Sequence, residues 1–481
     1  EINMAAYEPA DPNNNKTEVV IDGCDRTSIR QVYGGGNAAC TPATNVTVNG
    51  TFEILELFGG GNGLDNILIN GVEKPNPGAN VGYKNYSEYY YEDNTWKVRD
   101  KEDADTKEDR QRENSPYVYG TGRASVNIFG GTVHRVFGGS NTKGNVRETA
   151  VTLLDENSGC PFCVDEAYGG GKEAEMDAEG KLLMACIPGL DAVYGGAEAA
   201  DVKGGVTLNI TNGTFGRVFG GNNLSGTISG PIKVNIEEVG CKPIIIGELY
   251  GGGNQAAYSV YGYDGNGNPK ESGSNPWADP EVNVTSFTSI GEIYGGGYGA
   301  DAVMVGNPKV SINEAVGTPA TYPTTGDFDE NGFKGKTFTI DEDKPTEHTV
   351  TCPTHVRGKM GAIGKVFGGG NAAQVKGNTQ VNIGTTVGDI TYVEVEVEAG
   401  VTVVTGYYVR SGAGTTASPY TYDALSEAAG TCDAESKAVE GKTYYRKVEI
   451  IGVDIRDNVY GGGNNAEVTG NTNVQIGKKN E

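Results

Sequence analysis

Val366-Phe367-Gly368-Gly369-Gly370-Asn371-Ala372-Ala373-Gln374-Val375-Lys376-Gly377-Asn378-Thr379-Gln380-Val381-Asn382-Ile383-Gly384 decides how this chain is read. The stretch returns almost unchanged at Val459-Tyr460-Gly461-Gly462-Gly463-Asn464, continuing to Asn473-Val474-Gln475-Ile476-Gly477. Its kernel is a small aliphatic residue, an aromatic and two glycines, and the chain carries ten copies. The aromatics are Tyr33, Phe58, Phe137, Tyr168, Tyr194, Phe219, Tyr250, Tyr294, Phe367 and Tyr460. Several copies run on into Asn, at Asn37, Asn62, Asn254, Asn371 and Asn464. A repeated unit sets the architecture before local propensity does.

Where no insertion intervenes, the step between aromatics is about 25 residues, which fits one turn of a solenoid with three short strands. The spacing predicts an all-β fold, a right-handed parallel β-helix of about ten rungs. The clearest unit begins at Val206-Thr207-Leu208-Asn209-Ile210, which alternates apolar and polar. Asn212-Gly213-Thr214 is a turn, Phe215 to Phe219 a second strand, and Thr227-Ile228 a short third side. Turns spaced by about 4.8 Å put equal positions over one another. The ten aromatics are therefore expected to form a ladder and the Asn residues an amide chain. The glycines are expected to serve bends with positive φ.

The 481 residues form a single solenoid on this reading, residues 1–481, with insertions at 72–125, 258–281 and 314–362 and a small antiparallel β module at 385–449. The module rests on strands expected over 392–397, 401–404, 406–410 and 442–448. The first insertion clusters aromatics, and Tyr86, Tyr89, Tyr90, Tyr91 and Trp96 are the candidate sugar-stacking residues. The charged run from Arg99 to Arg112 reads as a solvated face.

Net charge is −25, from 38 Lys and Arg against 63 Asp and Glu, which disfavours nucleic acid and anionic membrane surfaces. No apolar run reaches the length of a membrane span. The eight cysteines are compatible with disulfides of an oxidising compartment, with pairings open. Glu1-Ile2-Asn3 is not a signal peptide and reads as the start of a trimmed or mature fragment. No amphipathic cap follows the last repeat, so the array is expected to continue in a longer protein, and end-to-end self-assembly follows as a partner hypothesis.

Chemistry-bearing motifs are few. Asp327, Asp329 and Asn331 match the first half of a calcium loop, but Phe338 stands where the bidentate Glu belongs. An ordinary turn and no cofactor are expected, with Ca²⁺ at this turn as the alternative. Gly60 to Leu68 matches one calcium nonapeptide, yet that chemistry needs consecutive copies. Cys160-Pro161-Phe162-Cys163 has redox spacing without a βαβ context and reads as disulfide chemistry. His134, His348 and His355 are scattered, though the last two flank Cys352. Glu237, Glu238, Glu248 and Glu292 lie near strands, but no carboxylate pair with an Arg is legible, and no catalytic residues are assigned.

The two long repeats quoted above resemble the Tyr-Gly-Gly-Gly-Asn repeats of large secreted or cell-surface β-helix proteins of gut bacteria, notably Bacteroidales. The resemblance covers the rungs and not the insertions. It implies an extracellular or bacterial cell-surface location and no particular chemistry. The expectation is a non-catalytic structural or adhesin-like protein whose partner is a glycan or a protein. The alternative is a β-helix polysaccharide lyase or glycoside hydrolase.

Overall fold

The computed structural model describes residues 16–25, 27–84, 87–100, 118–155, 159–238, 242–274, 277–316, 337–339, 349–351, 361–395, 402–403, 406–412, 420–427, 430–431 and 443–478. Every regular element among them is a β-strand. Two parallel sheets of 11 strands each dominate. The chain alternates between them, with Thr17–Ile21 in the first, Ser28–Tyr33 in the second, Thr44–Val48 back in the first and Glu53–Phe58 in the second. In the first sheet the spatial order of strands follows their order in sequence.

A third line of parallel pairing runs alongside. It holds the sheet of Tyr258–Ser259, Met304–Val305 and Val375–Lys376, and bridges linking Thr41, Val81, Val146, Met176, Val202 and Ile228 in turn.

Alternation explains the burial. In Val206–Ile210 the apolar residues Val206, Leu208 and Ile210 are buried, while Thr207 and Asn209 are half-exposed. The next strand of that sheet lays Ile232, Val234 and Ile236 on those three positions. Inward residues of both sheets thus merge into one aliphatic cluster, each fully buried side chain contributing roughly 1.5–3 kcal/mol. The turn between the sheets uses Gly213 at φ +115°, next to Asn212, whose Oδ1 accepts from Cys186 N–H and whose Nδ2 donates to the Lys242 carbonyl.

The ten repeat aromatics stack in one continuous column, with ring centroids 4.7–5.1 Å apart and planes within 13°. All but Tyr460 belong to a cluster separate from the aliphatic one. Burial pushes the Tyr194 hydroxyl up to about 12.

The paired glycines after each aromatic correct the sequence expectation. None of them has a positive φ. Before the last repeat they are required because the following turn of chain approaches too closely. A Cβ on Gly220 would lie 2.7 Å from the Gly251 carbonyl oxygen, and one on Gly251 2.5 Å from that of Gly295.

The insertions also differ in detail. Tyr258–Ser259, expected in a loop over 258–281, is a buried strand of the third line. Val81, expected within 72–125, bridges Thr41 and Val146. In the module, Tyr444–Gly452 pairs antiparallel with Ile390–Val395, Tyr407–Ser411 and Glu314–Val316, and Tyr407–Ser411 with Thr421–Ala424. Thr402–Val403 lies outside that sheet and pairs with Gly430–Thr431. Cys160 is bonded to Cys24, 136 positions earlier, with Cα atoms 5.3 Å apart, while Cys163 is a free, exposed thiol.

Candidate functional site

Four aromatic candidates of the first insertion, Tyr89, Tyr90, Tyr91 and Trp96, share one hairpin, Ser87–Glu92 against Thr95–Asp100. Alternation divides them. Tyr91 sits opposite Trp96 and meets it edge-on at 5.3 Å. Tyr90 shares the other side with Arg99, whose guanidinium lies 4.9 Å from its ring centre. Lys74 Nζ covers Trp96 at 3.8 Å and reaches Tyr89 at 4.8 Å, so that part of the aromatic surface is occupied from within. Tyr91 remains exposed. Tyr86, and the calcium candidates Asp327, Asp329 and Asn331, lie outside the described residues.

The Asn that follows the glycines builds a second column. Asn62 Nδ2 donates to Asn37 Oδ1 at 3.0 Å, Asn141 to Asn62 at 3.0 Å, Asn254 to Asn223 at 2.9 Å and Asn464 to Asn371 at 3.1 Å. Backbone bonds show that Lys172, Glu198 and Tyr298 occupy the same column. Lys172 donates to Glu56 at 2.7 Å and Glu198 accepts from Arg135. Tyr298 stands edge-on to Tyr250 at 5.7 Å. Asn254 Oδ1, whose next neighbour in the column is Tyr298, is buried without a hydrogen-bond partner.

On the outer face of the second sheet, the position two before each aromatic forms a charged column. In register it reads Gln31, Glu56, Arg135, Glu166, Ala192, Arg217, Glu248, Glu292 and Lys365. Sequence reading missed this set, because insertions of unequal length hide the common offset from the aromatic. Counting back two from each aromatic would have found it. Arg135 pairs with Glu56 and Glu166 at 3.1 Å each and with Glu198. Beside it, His134 bridges Asp165 at 2.6 Å and Glu53 at 3.2 Å.

Further along, Tyr250 and Tyr294 donate their hydroxyls to Glu248 at 3.1 Å and Glu292 at 2.6 Å. Lys365 bonds Glu292 at 3.2 Å. The Tyr294 hydroxyl foremost, with Lys365, holds the Glu292 carboxyl below its ordinary value. A shallow concavity of 660 Å³ opens over Gly216, Arg217, Gly247, Glu248, Glu292 and Tyr298.

The first sheet carries a different furrow, of 500 Å³. Along one side, Asp279 Oδ1 accepts the Asn307 N–H at 2.8 Å, Asn307 Oδ1 that of Asn378 at 2.9 Å, and Asn378 Oδ1 that of Asn471 at 2.8 Å. Along the other, Glu281, Lys309, Gln380 and Asn473 align in register. Like polar groups therefore repeat at the spacing of the strands.

Among the described residues, no group of three or more His, Cys, Asp or Glu is placed to hold a metal ion. No helix among the described residues is long and apolar enough to cross a membrane. Glu238, one of the carboxylates the sequence places near strands, is buried and structural. It accepts the Ile244 N–H at 2.7 Å and the Thr288 hydroxyl at 2.8 Å, and burial raises its carboxyl's affinity for the proton. No protein family, curated protein or solved structure matches this chain.

Proposed function

We propose that this chain is a right-handed parallel β-helix acting as a non-catalytic extracellular or cell-surface scaffold that binds glycans. The observation that carries this reading is the furrow beside Lys309 and Gln380, where amide and charged groups recur from strand to strand. A polysaccharide repeats hydroxyl groups along its length, so a wall of repeating donors and acceptors suits it. Asn and Gln offer both donor and acceptor atoms to each sugar. The likeness to surface repeat proteins of gut bacteria, the acidic charge and the Cys24–Cys160 disulfide support an oxidising, extracellular setting.

A second reading is glycoside hydrolysis, favoured by Glu248 and Glu292 on adjacent strands. Paired carboxylates in unlike environments are what acid–base cleavage of a glycosidic bond uses. Here Glu292 has its lysine, and no lysine or arginine pairs with Glu248 among the described residues. A glycan array run beside a reducing-sugar assay tests both readings. Binding without sugar release supports the scaffold, release supports the hydrolase, and neither result overturns both.

A further inference from the structure

We infer that the concavity bounded by Arg217, Glu248, Glu292 and Tyr298 is a binding subsite for neutral hexopyranose units, an inference that rests on the glycan-binding reading above. Three independent features converge there.

The first is Arg217. The other cations of its column are committed, Arg135 to three carboxylates and Lys365 to Glu292. Arg217 is in register with Glu248, yet among the described residues it has no carboxylate within ion-pairing distance. The ring of Tyr298 lies 5.9 Å from its guanidinium carbon. A guanidinium fork with spare donors suits a pair of vicinal hydroxyls.

The second is Tyr298. It interrupts the Asn column and leaves Asn254 Oδ1 buried and unpartnered. The position gives up a buried amide partner for a ring that packs edge-on against Tyr250 and lines the concavity. An aromatic beside Arg and Glu side chains offers a sugar both a stacking face and hydrogen bonds.

The third is the floor. Gly216, Gly247, Gly291 and Gly364 stand one position before Arg217, Glu248, Glu292 and Lys365. The strand before them carries Asp191 at the corresponding place, and those before that carry Asp165 and His134. The glycines leave that strip bare of side chains. Lys365, outside the concavity's lining, pairs with Glu292, and Arg217 offsets Glu248 in register, so the strip does not select for an anionic or cationic sugar. Neutral hydroxyl-rich units fit best.

The test is titration of the whole chain with neutral hexasaccharides (a β-glucan, a β-mannan and an α-glucan) and with a hexauronate, against Arg217→Met and Tyr298→Asn. Wild type should bind at least one neutral hexasaccharide more tightly than the hexauronate. Each substitution should weaken that binding about 10–100-fold. Tyr298→Asn should at the same time raise the melting temperature by completing the amide column, which separates lost binding from lost folding. Binding of neutral sugar left intact in both variants overturns this subsite while the glycan-binding reading stands. Wild-type preference for the hexauronate also overturns it. A wild-type chain that binds none of the four overturns both.

Discussion

Asn254 donates its amide to Asn223 at 2.9 Å, but its own carbonyl oxygen has nothing to accept from, because Tyr298 follows it in the column. An unmet buried acceptor costs roughly 1–3 kcal/mol. Tyr298→Asn should recover part of that, raising stability by about 1 kcal/mol in denaturant melts. No gain, or a loss, would show that the ring's own packing on Tyr250 matters more.

The aromatic column predicts a gradient from its middle to its end. Phe219 is fully buried between Tyr194 and Tyr250. Phe219→Ala should cost about 3–5 kcal/mol. Tyr460 stacks on one ring only and is 43% exposed, so Tyr460→Ala should cost about 1 kcal/mol. Hydrogen exchange resolved by peptide is the suitable measurement, since repeat arrays open locally. Equal effects at both positions would contradict a stacked column.

Close approach, not turn geometry, explains the repeat glycines, and this has its own signature. Gly251→Ala would place a methyl group 2.5 Å from the Gly295 carbonyl oxygen. The expected cost is about 1–3 kcal/mol. At Gly462, on the last repeat, an added Cβ meets nothing within 4 Å. Gly462→Ala should therefore be nearly silent, and thermal melts of the two variants check the contrast.

His134 makes part of the stability pH-dependent. Its hydrogen bond to Asp165 foremost, with that to Glu53, raises its pKa above 6.5. A raised folded value means that the bridge stabilises fully below about 6.5 and is lost as pH rises through the folded pKa. Wild type should thus lose stability over that rise relative to His134→Gln. Parallel pH profiles for the two proteins would refute the bridge.

The Cys24–Cys160 bond closes a 136-residue span near the first strands. Cys24→Ser should cost about 2–4 kcal/mol. Mapped alkylation of the native protein should label Cys163 and spare buried Cys40. Burial first, then Asp165, raises the Cys163 thiol pKa, so its labelling should accelerate with pH. Protection of Cys163, or ready labelling of Cys40, would contradict the structure.

Much of the fold was legible because the repeat acts locally. Val206-Thr207-Leu208-Asn209-Ile210 states its strand and its buried face in five residues, and Asn212-Gly213 states its turn. That Thr402–Val403 pairs with Gly430–Thr431 was not legible, because a β-rich segment does not say which strand it joins. The glycine role was misread because a close approach by a strand about 25 residues later leaves no trace in the local sequence.

The β class, the period and the column of rings follow from the order of residues alone, since identical units laid side by side bring identical positions into contact. The bond of Cys160 to Cys24, the cover of Lys74 over Trp96 and the meeting of Arg217, Glu248 and Glu292 on one outer strip appear only in the folded chain. Those contacts join residues across insertions of unequal length, and the register that aligns them arises only when the strands pair.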